Sequence, residues 1–178
     1  VSVDLVDNYF GRNITSIAVD PNDNDRVLVT LGNYNNSNYV YYSSNATDAS
    51  PTFIVKDGNL GNFPVYAATF DKDNSNYAII GTEFGIFSTQ NINTTQPQWG
   101  ADNSGLARVP VFTLKQYRTN KSSTNNMDVL EGDIFAGTYG RGTFQTTTLQ
   151  TTRPLDISER DMEGPVYQLM KLFPNPAD

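Results

Sequence analysis

Residues 65–89 contain the segments Val65-Tyr-Ala-Ala-Thr-Phe-Asp71, Tyr77-Ala-Ile-Ile-Gly-Thr82 and Gly85-Ile-Phe-Ser-Thr89. Each segment has strand length and carries β-branched or aromatic residues, and Asp, Asn, Ser and Gly dominate the turns between them. This pattern predicts an antiparallel β-meander. The middle segment is continuously apolar from Ala78 to Ile80, so we expect it to be covered on both faces.

The same order of segments occurs once before and once after this stretch. The earlier copy comprises Ile14–Asp20, Arg26–Gly32 and Tyr39–Ser44, and the later copy comprises Val111–Tyr117, Asp133–Thr138 and Gly142–Thr146. The first strands recur every 46 to 51 residues, a period typical of propeller blades and other repeat units. A single meander of this size cannot bury both of its faces, so neighbouring copies are expected to stack.

These repeats predict an all-β fold in which about three four-stranded antiparallel meanders pack radially as β-propeller blades, part of a larger propeller. The blades are expected at residues 14–55, 65–100 and 111–147 of a propeller region that spans 14–148. Fourth strands are expected at Thr52–Val55 and around Gln98 and Trp99. The middle strands Val27–Val29 and Ile134–Ala136 are expected to be buried, and residues 1–13, with Val3–Val6, to end a preceding blade.

The chain has a formal net charge of −7 and contains no cysteine and no histidine. Negative charge repels phosphate backbones and anionic lipid, so nucleic-acid partners are not predicted. Without cysteine there are no disulfides or thiolate metal sites, and without histidine the commonest general base is missing. No apolar run approaches the roughly 20 residues that span a bilayer, so membrane insertion is not predicted either.

Two segments are similar to degenerate Asp-boxes of the bacterial neuraminidase repeat (BNR). They are Ser43-Ser-Asn-Ala-Thr-Asp-Ala-Ser-Pro-Thr-Phe53 and Ser88-Thr-Gln-Asn-Ile-Asn-Thr-Thr-Gln-Pro-Gln-Trp99. In that family the box closes the outer hairpin of a blade, its Asp folds the turn, and its aromatic residue plugs the blade edge. Asn45 and Gln90 stand at the Asp position here, whereas Phe53 and Trp99 keep the closing aromatic. The resemblance implies a fold and no catalytic role.

Further phrases resemble the sortilin-like and xyloglucanase-like propellers, in which similar phrases recur blade after blade. These phrases are Val19-Asp-Pro-Asn22, Ile80-Gly-Thr82, Phe84-Gly-Ile-Phe87 and Gly137-Thr-Tyr-Gly-Arg-Gly142, and the resemblance covers about residues 12 to 147. It implies a secreted or cell-surface protein. In the xyloglucanase-like enzymes the catalytic acids lie in other blades, and no motif in this chain matches them.

The end of the chain departs from the repeat. Residues 149–170 carry mixed charge and a Gly164-Pro165 pair, which is typical of an exposed linker. Residues 171–178 contain Leu172-Phe173-Pro174-Asn175-Pro176-Ala177, which resembles the start of the C-terminal sorting domain of the type IX secretion system of Bacteroidetes. The resemblance implies a sorting signal that the secretion machinery binds, in a protein with further residues after Asp178.

The turns after the first strand of the first two blades, Asp20–Asp25 and Asp71–Asn76, offer oxygen ligands at alternate positions, and Asp71, Asp73 and Ser75 form the better set. Alternating oxygens are how a calcium loop begins, but Asn76 and Thr82 stand where an EF-hand requires Gly and Glu. Asp and Asn also fold tight turns through hydrogen bonds to the local backbone. We take the turn as the primary interpretation, keep calcium as the alternative, and predict no other cofactor.

Arg141 lies between Gly140 and Gly142 and can either contact a ligand carboxylate or belong to a structural turn, and the turn is favoured. A second candidate binding site is a platform of aromatic residues that stacks on carbohydrate rings. The alternative is that some of these residues pack between blades. The platform residues are Tyr34, Tyr39, Tyr41, Tyr42 and Trp99. Glu83 and Glu131 are acids that stand alone in loops, and no catalytic residue is predicted.

These observations favour a non-catalytic propeller module of a large secreted or cell-surface protein, exported by the type IX system and serving in binding or scaffolding. Its expected partners are the remaining blades of the same protein, the secretion machinery, and a polysaccharide or surface protein. One alternative is the C-terminal portion of a propeller glycoside hydrolase with its catalytic carboxylates upstream. The other is a secretion cargo whose tail contacts the translocon or attachment machinery.

Overall fold

The computed structural model describes residues 10–118 and 132–147, and in this part of the chain it contains strands and no helix. The eleven strands are β1 (Ile14–Asp20), β2 (Asp23–Leu31), β3 (Val40–Ser43), β4 (Ile54–Val55), β5 (Val65–Phe70), β6 (Ala78–Thr82), β7 (Gly85–Thr89), β8 (Gly100–Ala101), β9 (Val111–Gln116), β10 (Ile134–Thr138) and β11 (Gly142–Thr146). None of the described residues belongs to a helix long and apolar enough to cross a bilayer.

The strands form three antiparallel meanders, which confirms the predicted all-β class. Sheet 1 has the order β1-β2-β3-β4, sheet 2 the order β5-β6-β7-β8, and sheet 3 the order β11-β10-β9. The fourth strand of sheet 2 begins at Gly100, just after the expected Gln98 and Trp99. Sheet 3 has three strands within the described residues, where four were expected.

The sheets pack face to face with their first strands side by side. β1 lies against β5, and β5 lies against β9 on its other side. Two hydrogen bonds join β1 and β5. Thr15 Oγ1 donates to the Val65 carbonyl (2.5 Å), and the Ala68 amide donates to Ser16 Oγ (3.3 Å). Successive four-stranded meanders whose first strands lie together are blades of a β-propeller.

The two layers between the sheets form the core. Leu28, Tyr42, Phe70, Ile80 and Trp99 belong to the layer between sheets 1 and 2. The layer between sheets 2 and 3 contains Ile79, Leu114, Ile134, Ala136 and Phe144. Because successive side chains of a strand point to opposite faces, Ile79 and Ile80 enter different layers, as the continuous apolar run predicts.

The other two middle strands follow the prediction with one exception. Val27, Leu28 and Val29 are all buried. Ile134 and Ala136 are also buried, but Phe135 between them is only half-buried. The side chains of Ile134 and Ala136 point toward sheet 2. Because successive side chains of a strand alternate between faces, Phe135 lies on the opposite face of sheet 3.

Hairpin turns at the outer edge of the blades rely on asparagine. The side-chain oxygen Oδ1 of Asn45 accepts hydrogen bonds from the Thr52 amide (2.9 Å) and hydroxyl (3.0 Å). In sheet 2 Asn91 occupies the equivalent position, and its Oδ1 accepts a local hydrogen bond from the Asn93 amide at 3.2 Å. Gln90, which the sequence places at this position, is exposed instead. In the structure Thr89 is the equivalent of Ser43. Ser43 pairs with Val27 of β2, and Thr89 pairs with Ala78 at the same position of β6.

The predicted ends of the chain lie outside the described residues. This applies to Val3–Val6 as part of a preceding blade, to the linker 149–170, and to the sorting motif Leu172–Ala177. Glu131 also lies outside them. The corresponding predictions on domain boundaries and sorting therefore stay predictions.

Candidate functional site

The turns that follow the middle strands all lie at one end of the blades, and this end carries exposed aromatic residues from all three sheets. Tyr34 lies in the connection from β2 to β3, Glu83 in the turn from β6 to β7, and Tyr139 in the turn from β10 to β11. Tyr66 and Phe112 occupy the second positions of β5 and β9, whose starts lie at the same end. We name this set, Tyr34, Glu83, Tyr66, Phe112 and Tyr139, the aromatic strip.

Equivalent backbone contacts hold the two tight turns of the strip. The hydroxyl of Thr82 donates to the Gly85 carbonyl (2.9 Å), and that of Thr138 donates to the Gly142 carbonyl (2.7 Å). The residue after each threonine donates its backbone amide to the carbonyl of the proline that precedes the first strand of the same sheet. The Glu83 amide donates to the Pro64 carbonyl at 3.2 Å, and the Tyr139 amide to the Pro110 carbonyl at 2.9 Å. The repeated Gly-Thr phrase therefore fixes Glu83 and Tyr139 at matching places in neighbouring blades.

Close packing behind these turns keeps the blades in register. Gly81 precedes Thr82, and a Cβ atom built on it would lie 2.7 Å from the Val111 carbonyl oxygen and 2.8 Å from Val111 Cγ1. Both distances are too short for a real side chain. β6 therefore approaches the start of β9 at a position that only glycine can occupy, which brings the strip residues of sheets 2 and 3 together.

Three rings of the strip are in contact, Tyr66 of sheet 2 with Phe112 of sheet 3, and Phe112 with Tyr139 within sheet 3. The ring centroids of Tyr66 and Phe112 are 4.8 Å apart with an interplanar angle of 62°, and those of Phe112 and Tyr139 are 6.0 Å apart at 86°. Edge-to-face contacts of this kind are favourable and leave one ring face open. Tyr34 is 55% exposed, Phe112 47% and Tyr139 69%. The strip is therefore an ordered aromatic surface that is open to a ligand.

Glu83 gives one end of the strip a polar centre. The Tyr66 hydroxyl donates to Glu83 Oε2 at 2.6 Å. A hydrogen bond with Glu83 raises the pKa of Tyr34, whereas burial, followed by the hydrogen bond to Glu83, raises the pKa of Tyr66. Both phenols therefore stay protonated near neutral pH and keep their hydrogen bonds. No described Lys or Arg forms an ion pair with Glu83.

The aromatic platform expected from the sequence is not assembled. Tyr39, Tyr42 and Trp99 are buried, and the Trp99 indole donates to the Lys56 carbonyl at 2.9 Å. Tyr41 is half-buried and packs on Phe10 with ring centroids 4.7 Å apart. The alternative interpretation, that these aromatics pack against and between blades, is the correct one. Tyr34 alone of the five belongs to the exposed strip.

The calcium candidates take part in a turn. Asp71 Oδ1 accepts the amides of Asp73 (2.9 Å) and Asn74 (3.0 Å), and Asp71 Oδ2 accepts from Gln116 Nε2 at 3.2 Å. Asp73 forms an ion pair with Lys72 at 2.7 Å, and the Ser75 carbonyl accepts from Arg26. Within residues 10–118 and 132–147, no group of three acidic side chains is placed to hold a metal ion. Calcium binding at this turn stays a prediction.

Arg141 lies in the exposed turn next to Tyr139, at the far end of the strip from Glu83. Its neighbours Gly140 and Gly142 have φ angles of +70° and +82°, a left-handed conformation that favours glycine. The turn interpretation therefore has a geometric basis. A ligand contact by Arg141 stays a prediction.

Comparison with known proteins finds similarity among solved structures. No family model matches the chain, and no curated protein matches it. Among solved structures the chain is similar to the crystal structure of an ancestral GH74 enzyme, with 16% identity and a TM-score of 0.47 over 78% of this chain. The chain spans 18% of the length of that structure. The fold described above rests on the strands and packing of the chain itself.

Proposed function

We propose that this chain is a non-catalytic β-propeller module of a larger secreted or cell-surface protein, and that it binds a partner through the aromatic strip. The observation that supports this proposal is the strip itself. Three successive blades contribute aromatic residues to it, and hydrogen bonds of the turn backbone hold Glu83 in sheet 2 and Tyr139 in sheet 3. Large aromatic side chains that stay exposed in an ordered cluster are typical of interaction surfaces.

The first partner we propose is a further blade of the same protein. Ile17 and Val19 are 58% and 47% exposed, and they share a face of sheet 1 with Val29 and Val27, their pairing partners on β2. The equivalent positions of sheet 2, Ala68 and Phe70, are buried against sheet 1. Because the repeat places apolar residues at the same positions, the open face of sheet 1 is suited to another blade of this kind.

Export by the type IX secretion system is the second part of the proposal, and the motif Leu172–Ala177 supports it. Pro174 and Pro176 lack amide donors and fix φ near −65°, so the segment is unsuited to extend a sheet as a central strand. It marks a boundary between two folding units. The secretion apparatus would bind the unit that begins there.

Binding through the strip is tested with the intact protein and a double variant, Phe112→Ser with Tyr139→Ser. We expect retention of the intact protein on an immobilised β-glucan or on an immobilised peptide array, and at least a tenfold loss for the double variant. Ile54→Ser is the matched control, because Ile54 is 57% exposed on the edge strand β4 and lies outside the strip. Unchanged retention of the double variant would show that the strip is not the binding surface.

The same preparations separate the module from the hydrolase alternative. We expect the intact protein to release no reducing sugar from soluble β-glucans. Release of reducing sugar would mean that the chain is the C-terminal portion of a glycoside hydrolase. In that case the strip would line the path of a polysaccharide whose bond is cleaved by carboxylates elsewhere in the protein.

A further inference from the structure

We propose that the Glu83 end of the aromatic strip binds one cationic side chain, Arg or Lys, of a partner polypeptide. The inference rests on the proposed binding function and names the chemistry of the ligand. Its basis is the combination of aromatic rings from two blades with a carboxylate that forms no ion pair with any Lys or Arg of the described residues. Tyr34 and Tyr66 flank Glu83, and Phe112 extends the surface toward sheet 3.

Glu83 is suited to receive a cation. Its side chain is half-buried, so its charge is only partly solvated. The phenol of Tyr66 holds Oε2 at 2.6 Å and so fixes the orientation of the carboxylate. A carboxylate accepts several hydrogen bonds, and the planar guanidinium of Arg matches its geometry. Since no described cation forms an ion pair with Glu83, a ligand cation would supply the missing countercharge.

The surrounding rings strengthen the preference for a cation with an apolar stem. A cation over the face of a Tyr or Phe ring is attracted by the ring's electron density, most strongly by tyrosine and tryptophan among exposed residues. Tyr34 and Phe112 each leave about half of their surface open. The aliphatic stem of Arg or Lys can lie along these rings while its charged end reaches Glu83.

Two charges limit the kind of partner. The chain carries a net charge of −7, which favours approach of a cationic segment. Arg141 is exposed in the turn from β10 to β11, two residues after Tyr139, and its positive charge disfavours a second ligand cation at that turn. The strip is therefore suited to one basic residue, not to a polycationic segment. A neutral glycan would use the rings and make no use of the charge of Glu83.

The test compares two short peptides that differ only in charge. The intact protein is titrated with acetyl-Gly-Arg-Gly-amide and with the same peptide carrying citrulline, the neutral analogue of arginine. Binding is followed by NMR shifts of the Tyr34 and Tyr66 ring protons. We expect the citrulline peptide to bind at least tenfold more weakly, and Glu83→Gln to weaken the arginine peptide by a similar factor. Asp48→Asn is the control with the same change in charge, since Asp48 is exposed at the outer hairpin of sheet 1.

Three outcomes would overturn the inference. Equal binding of the two peptides, or unchanged binding after Glu83→Gln with an unaltered melting temperature, would show that charge at Glu83 does not select the ligand. Retention on β-glucan that depends on Phe112 and Tyr139, with no binding of the arginine peptide, would also contradict it. That last result would leave the proposed binding function intact. If neither retention on β-glucan nor binding of the arginine peptide depended on the strip, the proposed function itself would be refuted.

Discussion

Replacement of Phe70 by alanine is expected to lower the free energy of unfolding by about 3–5 kcal/mol, the range for truncating a buried phenylalanine. Phe70 is fully buried in the layer between sheets 1 and 2, where its ring meets that of Tyr42 edge to face at 6.5 Å. Its removal would leave a cavity between the two sheets, which their remaining contacts keep from moving together to close it. Urea unfolding of the intact protein measures the effect.

Phe84→Ala is the matched control for this substitution. Phe84 is 47% exposed in the turn from β6 to β7 and packs on Phe63 with ring centroids 5.2 Å apart. We expect Phe84→Ala to lower the free energy of unfolding by less than about 1.5 kcal/mol, because Phe84 is only partly buried and its main contact is one aromatic pair. A cost for Phe70→Ala no larger than that for Phe84→Ala would contradict the assignment of Phe70 to a layer between blades.

Deletion of the chain from Leu172 onward is expected to leave the protein in the periplasm instead of at the cell surface. The physical reason is that a folded propeller presents no separate element for the translocation machinery to bind, whereas we propose that the segment starting at Leu172 provides one. The measurement compares surface and periplasmic amounts of the full and truncated proteins in a type IX-competent host. Equal surface amounts would contradict the sorting role, provided that total protein is the same.

The repeated strands were predictable from the sequence because their signal is local. Ala78–Ile80 is continuously apolar, and the structure places its side chains in both layers of the core. The same reasoning correctly placed Val27–Val29. It overestimated the burial of Phe135, since a run of three apolar residues does not reveal which face of an individual sheet is covered.

The aromatic strip was not predicted, because its members are far apart in sequence and meet only when the blades pack. Tyr66 and Phe112 share a repeat position, and Glu83 and Tyr139 share another. Aligning the repeats position by position would have brought these residues together. The sequence instead drew attention to the cluster Tyr39–Tyr42, which is conspicuous in the chain but lies largely in the core.

The outer hairpins show how one residue of register decides a side chain's role. Gln90 follows the leading Ser88 at the same interval as Asn45 follows Ser43, so simple spacing assigned it to the turn. Strand pairing instead matches Thr89 with Ala78, and this register gives the turn contact to Asn91. A shift of one residue along a strand exchanges its faces, which spacing alone does not detect.

The central claim is that the sheets are successive blades with their first strands side by side, and an engineered disulfide tests it most directly. The chain has no cysteine, so Ser16→Cys with Ala68→Cys introduces a single pair. Ser16 Oγ lies 3.3 Å from the Ala68 amide nitrogen, on adjacent strands of sheets 1 and 2. Ser16→Cys with Thr113→Cys is the control, because β5 lies between β1 and β9.

Mild oxidation of the folded intact protein is followed by titration of free thiols and by non-reducing electrophoresis. We expect the pair at positions 16 and 68 to form a disulfide, and the control pair to keep both thiols free. The disulfide should also raise the urea midpoint, since it closes a loop of about 50 residues in the unfolded chain. Free thiols at 16 and 68, or an equally rapid disulfide in the control pair, would contradict the propeller arrangement.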